Sequence, residues 1–145
     1  MDAGAQSRAT PGWTPRLGLC CTFVNEPIRF RRTTARYAGG LEAHARLRFL
    51  GELVADNAAA LLAAVEWCVA HRIGAFRVNS ELLPLATHPE FGYGLEQIDP
   101  QGGIQDALAV VAARVRQSGI RLSFHPDQFV VPGSARAKVV ASSLR

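Results

Sequence analysis

Two histidines in this sequence stand where apolar runs end. His88 lies in "NSELLPLATHPE", and His125 closes the run in "RLSFHPDQFVVPGS". Neutral imidazole is a common ligand of divalent transition metals, and strand ends on one sheet face bring ligands together from separate segments. Two ligands do not close a site, because catalytic metals take three or more protein ligands. Glu26, Glu81 and Asp127 are the acidic candidates near them. A histidine at a strand end is also, quite ordinarily, a structural residue. His44 and His71 fall within or at the end of helical patterns and read as surface residues.

Gln128 and Phe129 follow His125 directly. An aromatic beside an amide on an exposed loop has the chemistry to wedge into stacked bases while the amide reads a base edge. The plain alternative is that Phe129 packs against the next unit of the fold. A third group is the loop "NEPIRFRRTTARYAGG", Asn25 to Gly40, with Arg29, Arg31, Arg32 and Arg36. Guanidinium forks match phosphate, so this loop reads either as a phosphate clamp or as a solvated charged loop.

These residues need elements to position them. Three short apolar segments are predicted strands: Arg16 to Val24, Ile73 to Ser80 and Ile120 to His125. Between them the spacing predicts helices. In "DNAAALLAAVEWCVAHR", Leu61, Leu62, Val65, Cys68 and Val69 share one face, and Asp56 is a candidate cap. The preceding "LRFLGELVADN" also reads as an earlier part of the same helix. In "GIQDALAVVAARVRQSG", Ile104, Ala107, Leu108, Val111 and Val115 form the apolar stripe, and Gly119 sits where a helix-ending glycine belongs. "SARAKVVASSLR" begins a third helix. Strands alternating with helices argue for parallel βαβ units. Ligand sites in such folds gather outside the carboxyl ends of the strands, where all three polar loops fall.

Composition sets the bounds. The chain has 145 residues, 48% hydrophobic and 19% charged, a globular profile rather than a disordered one. No uninterrupted apolar run approaches the roughly 18–20 residues of a membrane span, so no membrane partner is expected. Residues 1–15 lack a secretory pattern and read as a flexible tail. Cys20, Cys21 and Cys68 have no disulfide or zinc spacing, which fits a reducing cytoplasm. Net charge is +4, and Lys138 is the one lysine among sixteen basic residues. Such an arginine excess suits a nucleic-acid partner.

Together, "RLGLCCTFVNE", "FRVNSELLPLATHP" and "RLSFHPDQFVVPGS" resemble the UV damage endonuclease family, in the family's order and from about Arg16 onward. The resemblance implies an α/β fold, a (β/α)₈ TIM barrel related to endonuclease IV and the xylose-isomerase-like enzymes. It implies a cytoplasmic DNA repair enzyme, monomeric when full length. Such an enzyme nicks UV-damaged double-stranded DNA 5′ to the photoproduct by divalent-metal-assisted phosphodiester hydrolysis. The metals implied are a cluster of two or three, manganese being usual. His88 and His125 match metal-binding histidines. Gln128 and Phe129 match the pair that probes the lesion, and Asn25 matches a polar residue of the first strand-end loop. Leu19 stands where some members place an aromatic that assists the probing pair.

A complete barrel takes about 250 residues. Residues 16–145 therefore read as the N-terminal part of such a domain, truncated at its C-terminus, with about three βα units and an incomplete barrel. With two histidine ligands, this part is not expected to cut DNA alone. Two other readings remain. One is a fragment of a metal-dependent sugar isomerase or epimerase barrel. The other is a non-catalytic DNA-binding fragment.

Overall fold

A computed structural model describes residues 16–124 and 133–143. The 1–15 tail, His125, Asp127, Gln128 and Phe129 lie outside the described residues. The chain runs β1 (Gly18–Cys20), α1 (Ala35–Gly39), α2 (Ala43–Ala70) and β2 (Ala75–Val78), followed by a 3-10 turn at Ser80–Leu82. Then come α3 (Leu95–Ile98), α4 (Gly103–Ser118), β3 (Arg121–Phe124) and α5 (Ala137–Ser143). The strands form one parallel sheet in the order β1-β2-β3. This is the alternating α/β architecture that the sequence pattern predicts.

Register decides which side chains meet the helices. Leu19, Phe76 and Leu122 align across the sheet and pack with the main core. Their neighbours Cys20, Arg77 and Ser123 align in the next row, are exposed, and leave the opposite face. Behind the sheet, Phe76 and Val78 meet Leu61, Val65 and Cys68 of α2 and Val111 of α4. A second cluster joins Leu50 and Val54 of α2 to Ile98 and Ile104. On the surface, the Arg114 guanidinium donates to both carboxylate oxygens of Glu66, at 2.7 and 3.0 Å, and ties α4 to α2.

The helices follow local chemistry. The Asp99 carboxylate accepts from Ile104 N–H at 2.8 Å and Gln105 N–H at 3.1 Å, satisfying amides that the first turn of α4 leaves free. Gly119 ends α4 with φ +68°, a left-handed conformation that glycine adopts without a Cβ penalty.

Several boundaries differ from the sequence pattern. β1 stops at Cys20, because Cys21 takes φ +60° and turns the chain. Asp56 does not cap α2. That helix starts at Ala43, and Asp56 sits exposed within it. The arginine loop contains α1, capped by Thr34, whose Oγ1 accepts from Tyr37 N–H at 3.2 Å. By length and composition, α2 is apolar enough to cross a membrane, which counting uninterrupted apolar runs misses. In this fold its apolar face is the centre of the protein core, from Leu50 to Cys68.

Candidate nucleic-acid interface

A cleft of about 510 Å³ opens where β1 and β2 end, lined by Thr22, Phe23, Arg29, Arg32, Asn79 and Glu81 among others. A second hollow of about 400 Å³ shares Arg32 and Glu81 with it and continues to His88. Arg32 and Glu81 thus stand at the junction, with Nη1 3.7 Å from Oε1. That separation leaves the pair loose, and the Arg32 side chain is 78% exposed. An exposed pair of this kind is weak, so Arg32 remains open to another anion.

Arg29 and Arg31 are occupied. Arg29 turns its guanidinium back onto its own loop, donating to the carbonyls of Phe23 (2.9 Å), Glu26 and Ile28 (3.0 Å). It shapes the cleft wall rather than presenting a free fork. Arg31 forms an ion pair with Asp56 on α2. Of the three arginines read as phosphate contacts, Arg32 is the one that the structure presents with its fork largely exposed.

The residue that holds these loops together is Asn57, which the sequence pattern hid inside the apolar stripe of α2. It is fully buried. Its Oδ1 accepts from Arg31 N–H at 2.6 Å. Its Nδ2 donates to the carbonyls of Arg31 and Glu81, both at 2.9 Å. One amide therefore fastens the arginine loop and the loop after β2 to the same turn of helix. Asn79 completes the frame: its Oδ1 accepts from Glu81 N–H at 2.9 Å and starts the 3-10 turn. The signal in the sequence was a polar residue among Val54, Ala58 and Leu61, where burial demands partners.

Leu19 is half-buried and packs against the core on the helix side of the sheet, so it does not stand in the cleft as a probing side chain. Asn25 is exposed on the loop after β1. Among the described residues no three His, Cys, Asp or Glu side chains converge as a metal site. His88 has its own commitments. Its Nδ1 accepts from Glu90 N–H and Phe91 N–H, both at 3.2 Å, and its ring lies parallel to Phe91 with centroids 5.0 Å apart. The Arg46 guanidinium covers the Phe91 ring, 5.0 Å from its centroid. With Nδ1 accepting, the neutral ring carries its proton on Nε2 and has no outward lone pair. A metal-bound histidine has the reverse arrangement, donating from its second nitrogen. As placed, the described residues do not fit a metal centre.

Comparison with known proteins supplies the lineage. Residues 15–145 match the family described as UV-endonuclease UvdE. The UV DNA damage endonuclease of Deinococcus radiodurans is 34% identical over 134 residues, covering 90% of this chain and 42% of that protein. The Nostoc sp. protein of the same name is 29% identical over 133 residues, covering 90% of this chain and 39% of its own length. The crystal structure of SacUVDE superposes with a TM-score of 0.69 at 27% identity, over 89% of this chain and 41% of that one. This chain thus spans about two fifths of the length of these relatives, and it belongs to the UV-endonuclease UvdE family.

Proposed function

We propose that this chain supplies the first βα units of a (β/α)₈ barrel and the DNA-facing cleft of a repair endonuclease that nicks DNA 5′ to UV photoproducts. The observation that carries this reading is the strand-end cleft with Arg32 open where it joins the second hollow, in a chain of the UvdE family. Arg32 contacts a backbone phosphate, exchanging a loose carboxylate partner for a bidentate one. Asn57 and Arg29 hold the two loops so that the cleft is formed before DNA arrives. Asn25, Gln128 and Phe129 belong to the same reading as contacts to the lesion-bearing strand. The DNA-repair relatives support it, as does the net charge of +4. No hydrolytic step is assigned to His88, whose Nδ1 is engaged by backbone amides.

A sugar isomerase needs an enclosed pocket for a small neutral substrate. An arginine 78% exposed between two open hollows suits a polyanion instead. Thermal unfolding of the chain with irradiated duplex, unirradiated duplex or a pentose separates the two readings. The expected result is a raised midpoint with either duplex, larger with the irradiated one, and none with the sugar. A rise with the sugar and none with DNA would overturn the proposal.

A further inference from the structure

Two thiols stand together at the mouth of the cleft. β1 ends at Cys20, and Cys21 follows with φ +60°. Thr22 N–H donates to the Cys20 carbonyl at 2.7 Å, so the chain closes a three-residue turn about a positive φ. That γ-turn is rare and strained for any residue but glycine. It is anchored by Cys21 N–H, which donates to the Arg77 carbonyl at 2.9 Å. In a continuing strand, successive side chains leave opposite faces of the sheet. Here the turn brings the two Sγ atoms within 3.4 Å. Cys20 is exposed, Cys21 is half-buried and lines the cleft, and Cys68 is buried in the core, away from both.

The geometry selects among soft ligands. Structural zinc takes four ligands, and no third His, Cys, Asp or Glu converges on the pair among the described residues. Two-coordinate mercury places its sulfurs on opposite sides of the metal, which two touching sulfurs do not provide. A trivalent arsenic atom bearing one organic group is pyramidal and takes two adjacent sulfurs as its remaining bonds. We propose that Cys20 and Cys21 form a two-thiol binding site for monosubstituted trivalent arsenicals.

The condensation balances with an arsenoxide as reactant. Two As–S bonds form, the As–O double bond breaks, and both thiol protons leave with that oxygen as one water. Arsenic stays trivalent and no sulfur is oxidised. Burial, with a contribution from Cys20, pushes the Cys21 thiol up to about 11. Cys21 is therefore held as a thiol at neutral pH, and its attack in disulfide exchange, which needs a thiolate, is disfavoured. Because Cys21 and Arg32 line the same cleft, the bound arsenical crowds its entrance.

The test is titration of the purified chain with phenylarsine oxide. Expected are one equivalent bound per chain, two of the three thiols lost to a thiol reagent, and a proteolytic peptide holding Cys20 and Cys21 heavier by the reagent less one water. Cys20→Ser and Cys21→Ser should each weaken binding about a hundredfold, since one-point attachment forgoes the chelate advantage. Cys68→Ser should bind as the wild type does. The peptide measurement needs no variant and stands even if a serine variant misfolds. Adduct found on Cys68, or wild-type affinity in either the Cys20 or the Cys21 variant, would overturn the site.

Discussion

At the scale of single residues, a side chain's type proved less informative than its partners. Arg29, Arg31 and Arg32 look alike in the sequence, yet one closes its own loop, one pairs with Asp56, and one is left open. No local pattern separates them, because their partners are carbonyls and carboxylates brought near by folding. If Glu81 is the resting partner of Arg32, Glu81→Gln should strengthen duplex binding severalfold, and Arg32→Ala should lower the salt slope by about one. Fluorescence anisotropy over a range of salt checks both, and unchanged slopes would remove Arg32 from the interface. His88 makes a second residue-scale prediction. Nitrogen-15 NMR should show the Nε2–H tautomer, and added Mn²⁺ should leave the His88 signals unbroadened. An Nδ1–H tautomer with selective broadening would restore it as a ligand.

At the scale of elements, local chemistry was legible and tertiary demands were not. The three strands, the apolar face of α4 and its Gly119 terminus follow from periodicity and turn chemistry, and the structure has them. The start of α2 admits two readings in the sequence, a cap at Asp56 or a helix that already includes "LRFLGELVADN", and the structure has the second. Asn57 enters the core to bind two loops. "CCTFV" reads as strand because nothing in residue type announces the φ +60° of Cys21. Asn57→Leu should lower stability by about 2 kcal/mol, leaving the Arg31 amide and the Glu81 carbonyl without their partner. Urea unfolding measures it, and an unmoved midpoint would refute the clamp. Glycines give a paired prediction. A Cβ at Gly51 would meet the Ile98 carbonyl oxygen at 2.6 Å, whereas at Gly119 it would meet nothing within 4 Å. Gly51→Ala should therefore cost about 2 kcal/mol by overpacking the α2–α3 contact. Gly119→Ala should cost about 1 kcal/mol, from its left-handed φ alone. Equal effects would mean that the helix contact yields freely.

At the scale of the whole molecule, a three-stranded parallel sheet presents one face to helices and turns the row Cys20, Arg77 and Ser123 outward. The described polar loops after β1 and β2 meet at the carboxyl ends of those strands, as the general rule for parallel sheets requires. That placement was readable from strand order, whereas the family was legible in the residues of the three motif stretches, which overlap β1, β2 and β3. His125, Gln128 and Phe129 lie outside the described residues, so their roles rest on the family resemblance.

The most direct measurement is competition between UV-irradiated and intact duplex of the same sequence for the purified chain, followed by anisotropy at several salt concentrations. Binding should occur at low salt, weaken as salt rises and favour the irradiated duplex. Absence of binding at low salt, or equal affinity for the two duplexes, would contradict the reading of the strand-end cleft as a damaged-DNA interface.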